Sequence, residues 1–485
     1  MPHYNAKHSS LRDRPVLDPT TRRLLPWLVA IGFFMQTLDS TILNTALPAM
    51  AKGLNESPLR MQSVVVAYML TVALLIPASG WLADRFGTRK VFMSAIVLFS
   101  LGSLLCALSS SLTQLVASRV VQGMGGALLL PVGRLAILKA FPKEQFLPVL
   151  SFVTIPGLIG PLVGPTLGGW LVEVASWHWV FLINLPVGIV GCFVTARYMP
   201  ELLGDEKRFD WLGFVLFGAG MVLVSISLQG MGEHALPLAT SLILLFAGLA
   251  AMAGYWLHAA RSALPLFSLS LFRIHTYAIG VWGNLFARLG SGAMPFLTPL
   301  FLQIGLGFPP TQAGLFMIPT VLGAMVSKAM VEPLIHKQGY RRVLVGNTLL
   351  LGMMIASFAL TDRQTPHWLL LLQLAVFGVV NSLQFTAMNT LTLGDLGPDT
   401  ASSGNSLLSV IMQLSMSLGV AAAAALLAGF SDHGIAPQPE RLLNAFQNTY
   451  ICVGVLSILA ACIFMQLRPG DGDHARKPIS AVEEG

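Results

Sequence analysis

The stretch Gly80-Trp-Leu-Ala-Asp84-Arg85-Phe-Gly87-Thr-Arg89-Lys90-Val91 lies between two apolar runs, 61–82 and 91–109. Each run is near the roughly 20 residues needed to cross a bilayer as a helix. The stretch between them reads as an interfacial turn. Gly87 permits a tight turn. Asp84 can cap the next helix or pair with a basic residue, and the cations anchor at a membrane surface. A second stretch, Ile335-His336-Lys337-Gln338-Gly339-Tyr-Arg341-Arg342-Val343, sits between the runs 311–330 and 343–361. Gly87, Arg89, Lys90 and Val91 align with Gly339, Arg341, Arg342 and Val343 at one offset of 252 residues. The chain thus contains the same turn twice, each time between apolar spans.

Composition agrees. Of 485 residues, 54% are hydrophobic and 11% charged, against about 25% charged in soluble domains. Backbone polar groups cannot stay unpaired in lipid, so long apolar runs must be helices. Besides the four already given, runs fall at 25–47, 113–138, 147–172, 178–199, 210–229, 237–258, 275–304, 367–391, 402–429 and 446–466, which makes fourteen. The net charge of +7 then belongs to loops facing an anionic leaflet rather than to a nucleic-acid surface. Cys106, Cys192, Cys452 and Cys462 all fall in apolar runs, without metal-ligand or disulfide spacing, and read as small buried hydrophobes. The polar N-terminus, through residue 24, is too long before its first apolar run for a cleavable signal peptide.

An even number of spans puts both termini on one side. With the N-terminus cytoplasmic, inside segments carry 21 Lys and Arg, while outside loops carry four: Lys52, Arg60, Arg363 and Arg441. Among the inside residues are Lys7, Arg12, Arg14, Lys207, Arg476 and Lys477. The positive-inside rule therefore predicts cytoplasmic termini. One inside segment fits poorly: the loop after run 367–391 has Asp395 and Asp399 and no basic residue.

Each of the two turns joins the second and third helix of a six-helix set if the sets are spans 1–6 and 9–14. Spans 7 and 8 are then an inserted pair. The expected fold is all-α and membrane-integral, with fourteen spans. The expected divisions are a tail 1–24, a six-helix half 25–199, an inserted pair with its loops 200–260, a second half 261–467 and a tail 468–485. Two parallel halves around a midplane site is the architecture of major facilitator transporters.

Five motifs carry a resemblance to that superfamily, and within it to the fourteen-spanner drug:proton antiporters. Gly80, Asp84, Arg85, Gly87, Arg89 and Lys90 match the signature between helices 2 and 3, which in the family latches the halves and governs gating. Leu38-Asp39-Ser-Thr41-Ile-Leu-Asn44-Thr-Ala46-Leu47-Pro48 in span 1 looks like the fourteen-spanner signature. Arg119-Val-Val-Gln122-Gly123-Met-Gly125-Gly126-Ala127 in span 4 resembles the arginine motif tied to proton coupling. Gly160-Pro161-Leu-Val-Gly164-Pro165-Thr-Leu-Gly168-Gly169 in span 5 resembles the motif that marks exporters. Its glycines four apart line one face for close helix packing, and its prolines each remove a donor. Trp177-His178-Trp179-Val-Phe181-Leu-Ile-Asn184-Leu-Pro186-Val-Gly188, opening span 6, is similar to the same subfamily. The second-half stretches Phe301-Leu-Gln303-Ile-Gly305-Leu-Gly307-Phe308 and Ala401-Ser402-Ser403-Gly404-Asn405-Ser406-Leu407-Leu408 extend the resemblance over nearly the whole chain. It implies a proton-coupled exporter in a bacterial inner membrane, acting as a monomer without a cofactor or metal.

Embedded charges are the candidate working residues. An ionisable group in hydrocarbon is costly and is a functional candidate by default. Asp39 is the only acid well inside a span. It lies about 12 Å, and Arg119 about 9 Å, below the outer end of its helix at 1.5 Å per residue, so an ion pair is expected. The pair is either the proton-coupling device or a brace between helices. Arg134 and Lys328 are near enough to the inner interface to snorkel. Arg288 is about 20 Å into span 9, near mid-bilayer. It is expected, with Asn284, to face a central substrate cavity together with Asn381 and Gln122. Amides such as Asn381 could instead satisfy it, or Asp39 could pair with it and leave Arg119 for substrate.

One embedded acid against up to four bases leans toward an organic anion, for example citrate or an iron–citrate chelate. The resemblance leans toward drugs. Generic efflux of small molecules comes first, specific anion export second, and a transporter-like sensor without flux is the alternative of another class. No zinc-ligand cluster, nucleophile elbow or phosphate loop argues for an enzyme or an ATP-driven pump.

Overall fold

The computed structural model describes residues 18–204, 208–232, 236–431 and 439–472. The basic residues Lys7, Arg12, Arg14, Lys207, Arg476 and Lys477 lie outside them, as do most of both expected tails. Thirteen helices among the described residues are long and apolar enough to cross a membrane. One of them, Pro310–Leu360, has 51 residues. At 1.5 Å per residue that is about 76 Å, more than twice a hydrocarbon core of roughly 30 Å. Gly339 interrupts it with φ 79° and ψ 157°, so it is two spans meeting at a turn. Fourteen spans result.

In chain order the first half contains α1 (Pro19–Gly53), α2 (Gln62–Phe86), α3 (Thr88–Ala107), α4 (Leu112–Ala140), α5 (Lys143–Val174), the short α6 (Trp179–Leu182) and α7 (Asn184–Tyr198). The inserted pair is α8 (Trp211–Gly232) and α9 (Leu238–Arg261). The second half runs through α10 (His275–Ser291), α11 (Met294–Leu300), α12 (Pro310–Ser357), α13 (His367–Gly394), α14 (Pro398–Phe430), α15 (Pro439–Leu459) and α16 (Ala461–Phe464). Span 9 departs from the single helix expected over 275–304. It breaks after Ser291 and ends in a π-helical turn, Phe301–Gly305. Gly292, Pro295 and Pro299 fall in this stretch, and proline removes a ladder donor.

The packing repeats between the halves. α1 lies on α5 as α10 lies on α14, and α3 lies on α7 as α12 lies on α15. The aligned glycines share one backbone conformation: Gly87 has φ 94° and ψ 146°, and Gly339 φ 79° and ψ 157°. That region is nearly closed to residues with a Cβ. At the first turn Gly87 is the only residue between two helices. Arg89 and Lys90 therefore sit in the first turn of α3, where the helix dipole disfavours cations. Glu201, 3.3 Å from Arg89, offsets this.

The two ends of the bundle are packed differently. Where α1 ends and α2 begins, one core joins both halves: Leu47, Met50 and Val64 share it with Phe296, Phe301 and Phe316. Toward the Gly87 turn the cores separate, one confined to the first half and one to the second. α8 and α9 pack on each other, and α8 packs on α14 with a lighter contact to α2. A satellite core from Leu70 and Ala73 through Met221 and Tyr255 to Leu407 closes that flank.

Candidate transport site

Asp39 sits mid-helix in α1, and four other spans converge on it. Its Oδ2 accepts from Arg119 Nη1 of α4 at 2.7 Å. Its Oδ1 accepts from Gln122 Nε2, also of α4, at 2.7 Å and from Asn184 Nδ2 of α7 at 3.2 Å. Arg119 also donates to Gln122 Oε1 at 2.6 Å and, through Nε, to the Val64 carbonyl of α2 at 3.3 Å. Its guanidinium lies 4.2 Å from the Tyr68 ring centroid. Ser103 of α3 accepts from Gln122 at 2.8 Å. Asp39 and Arg119 are each 1% exposed. In so dry a place a charge persists only when paired and hydrogen-bonded, and this shell supplies both. The expected Asp39–Arg119 pair is formed, and Arg288 plays no part in it.

The span 5 motif makes this convergence close. Gly160, Gly164 and Gly168 face α1 at Thr37, Thr41 and Ile42, where an added Cβ would strike Thr37 Oγ1, Thr41 Oγ1 and the Ile42 carbonyl. Thr41 Oγ1 donates to the Gly160 carbonyl at 3.3 Å and Thr45 Oγ1 to the Pro165 carbonyl at 3.0 Å. α5 continues unbroken through Pro161 and Pro165. The next glycine does something else: Gly169 meets the Pro310 carbonyl, and Gly314 of α12 meets that of Pro165. This contact crosses between the halves. Beside it Glu173 accepts from Thr311 N at 2.9 Å, and Gln303 Nε2 donates to the Thr45 carbonyl at 2.9 Å.

A cavity of about 870 Å³ runs from the Arg119 level to the Gly87 turn. α1, α2 and α4 wall it on one side, and α13 and α14 on the other. Its polar wall includes Gln36, Ser40, Ser409 and Gln413, and its cations among the described residues are Arg119, Arg134 and Arg208. Arg134 thus lies on the cavity wall rather than only reaching back to the interface. The linkers flanking the inserted pair contribute Arg208, Phe209, Leu266 and Phe267 at the mouth, a contribution that span counting did not foresee. Asp210 fixes these linkers by accepting from His258 at 2.7 Å and from Leu266 N at 3.0 Å.

The four residues expected on the cavity wall are placed elsewhere. Gln122 is wholly buried in the Asp39 shell, and Asn284 is wholly buried in α10. Arg288 donates through Nε to Asn284 Oδ1, one turn away, at 3.0 Å. Its guanidinium stacks 3.7 Å from the Phe385 ring centroid, and Nη2 has no hydrogen-bond partner among the described residues. Phe385, not Arg288, lines the cavity. Asn381, on α13, is half-buried and is not the amide that holds Arg288. The physical reason is that a guanidinium under an aromatic face is shielded from the cavity it approaches.

In the turn, Asp84 caps no helix. It pairs with Lys139 at 2.7 Å and lines the cavity mouth with Gly80. Arg85 stacks on Trp81 at 5.3 Å, and Lys90 is exposed. Thr88 binds the Pro200 and Leu202 backbone. None of these contacts reaches residues 261–467, so they latch nothing onto the second half in this structure.

The model of the Major Facilitator Superfamily matches residues 29–420 and 280–483. The chain is 53% identical over 448 residues to the "Putative multidrug resistance protein MdtD" of Serratia proteamaculans, covering 92% of this chain and 93% of that one. To its namesake in Pectobacterium atrosepticum it is 52% identical, covering 93% and 97%. Among solved structures, a POT family transporter complexed with a thioalcohol-conjugated peptide superposes with a TM-score of 0.68 at 16% identity, covering 91% and 95%. A D-xylose–proton symporter superposes at 0.65 and 15%, covering 94% and 99%. These two establish the fold alone.

Proposed function

This chain belongs to the major facilitator superfamily of multi-pass membrane transporters, and on that premise we propose that it exports small molecules across a bacterial inner membrane in exchange for protons. The observation that carries the reading is the buried Asp39 carboxylate, held by Arg119 at the apex of a cavity walled by both halves. An acid there can pick up a proton only when the cavity admits water from one side, which is what coupling to alternating access requires.

Both termini are cytoplasmic in this reading. The cavity is then inward-facing, and the Gly169–Gly314 contact is the closed outer gate. The signature turn, with Asp84 tied to Lys139, is unlatched. Asp39 carries the proton, and Arg119 takes back the vacated carboxylate. The divisions 25–199, 200–260 and 261–467 mark the two rocking halves and the inserted pair, and the working unit is one chain. The relatives' printed name supports drugs as substrates.

A second reading, export of an organic anion, has its own observation. Arg134 and Arg208 face the cavity, and among the described residues its one acidic wall residue, Asp84, is neutralised by Lys139. The test is counterflow in proteoliposomes with an imposed pH gradient, comparing ethidium with small di- and tricarboxylates. Proton-driven uptake lost in Asp39→Asn supports exchange. Undiminished proton-driven uptake by that variant removes Asp39 from the mechanism. Uptake of carboxylates and not ethidium selects the second reading. Binding without flux of any probe would mean a sensor.

A further inference from the structure

Asn184 belongs to the Trp177–Gly188 motif, to which no role has yet been attached. It is the first residue of α7, at the interruption after α6, and is 2% exposed. Gly188, one turn on, lies so close to α3 that an added Cβ would strike Ser100 Oγ. This close approach brings the short Asn184 side chain to Asp39, with Nδ2 at 3.2 Å from Oδ1 and 3.4 Å from Ser103 Oγ.

Every hydrogen-bond partner of the Asp39 carboxylate among the described residues is a donor: Arg119 Nη1, Gln122 Nε2 and Asn184 Nδ2. That shell fits an ionised carboxylate. None of these three partner atoms can accept the O–H of a protonated carboxyl, so a proton loaded in this hydrogen-bond geometry turns one partner round. Arg119 has no acceptor atom at all. Gln122 is engaged at both ends, its Oε1 by Arg119 and Cys106 and its Nε2 by Asp39 and Ser103. Asn184 has the longest of the three bonds and an amide that both donates and accepts. The other titratable side chains near the carboxyl are Tyr68 of α2 and Cys106 of α3, besides Arg119 of α4. From α5, glycines 160 and 164 face this part of α1.

We infer that Asn184 is the positioning residue of the proton-carrying carboxyl: its amide N–H holds the ionised Asp39, and the same amide, turned over, accepts the O–H of the protonated one. The proton then resides on Asp39 Oδ1, hydrogen-bonded to Asn184 Oδ1, while Arg119 keeps Oδ2. Asn184 binds no substrate. The inference rests on the reading of Asp39 as the proton carrier.

The test is infrared difference spectroscopy of the purified full chain in lipid, titrated over pH without substrate. The protonated-carboxyl C=O band that disappears in Asp39→Asn belongs to Asp39. In Asn184→Leu, similar in volume but without donor or acceptor, that band is expected at higher wavenumber with a displaced titration midpoint. Ser327→Ala, which removes a hydroxyl bonded to Ser382 in the second half, is expected to leave the band where it is. If Leu prevents folding, Asn184→Ala is read the same way. A band with the same wavenumber and midpoint in the Asn184 variants overturns this inference and leaves Asp39 as carrier. No band lost in Asp39→Asn overturns the carrier reading as well.

Discussion

Gly314→Ala is expected to open the gate formed by α5 and α12. Its new Cβ meets backbone: the Pro165 carbonyl oxygen, the Pro165 carbonyl carbon at 2.7 Å and Thr166 Cα at 2.8 Å. No rotamer can relieve that overlap, so the helices must separate. Overpacking of a tight interface costs about 1–3 kcal/mol. The cost falls only on the state in which these helices touch, because within α12 itself alanine is the better helix former by about 1 kcal/mol. The equilibrium between gate states should therefore move by about 5–150-fold toward separation. Gly169→Ala acts on the same contact from the other side through the Pro310 carbonyl. The double variant should shift less than the sum of the two, since neighbouring sites are not additive. Pulsed electron–electron resonance measures this with spin labels at Lys52 and Gln364 across the gate, and at Leu203 and Lys337 at the other end, in a chain cleared of its four cysteines. The expected result is a longer first distance and a shorter second one. An unchanged distribution at both pairs would refute both the gate assignment and the reciprocal motion of the two ends.

Three further outcomes follow from the geometry. Arg119→Gln leaves Asp39 buried without its cation and should cost about 3–5 kcal/mol in thermal unfolding, with Asp39→Asn in the same chain restoring part of the loss. Gly87→Ala and Gly339→Ala should each cost about 1–3 kcal/mol of backbone strain, and Gly87→Ala more, since its Cβ also strikes the Glu201 carboxylate; unfolding midpoints check the order. Asp210→Ala strands the Leu266 N–H and should cost about 1–3 kcal/mol. Faster proteolysis of the 262–274 linker would register the release.

The spans were legible because lipid imposes a length and a composition that side-chain detail cannot override. Only their interruptions escaped, as at Ile183 and Gly292, where tertiary packing decides. The Asp39–Arg119 pair was legible for a similar reason: two lone charges at equal depth have few other ways to be satisfied. Gln122 lies three residues after Arg119 and so on its face of α4, a spacing that already tied it to the ion pair rather than to the cavity. Phe385 gave no such signal. That it covers Arg288 depends on how α13 meets α10, and nothing along either helix encodes that meeting. Asn184 was visible as part of a motif, but its depth depends on the break between α6 and α7.

The inserted pair carries a mechanical consequence. Tyr255 of α9 holds the linker to α10 at both polar atoms of Phe267, at 3.3 and 3.0 Å, and α8 packs on α14 far more than on α2. The pair is therefore tethered to the second half and bears more lightly on the first, where Leu74 of α2 rests against Gly218 and Trp81 lies edge-on to Trp211 at 5.4 Å. In the proposed rocking of the halves the moving bodies are unequal, six spans against eight. The sliding seam lies between α2 and α8, where Leu70 and Ala73 also share a core with Met221, so the friction of the transport cycle is concentrated along one apolar contact.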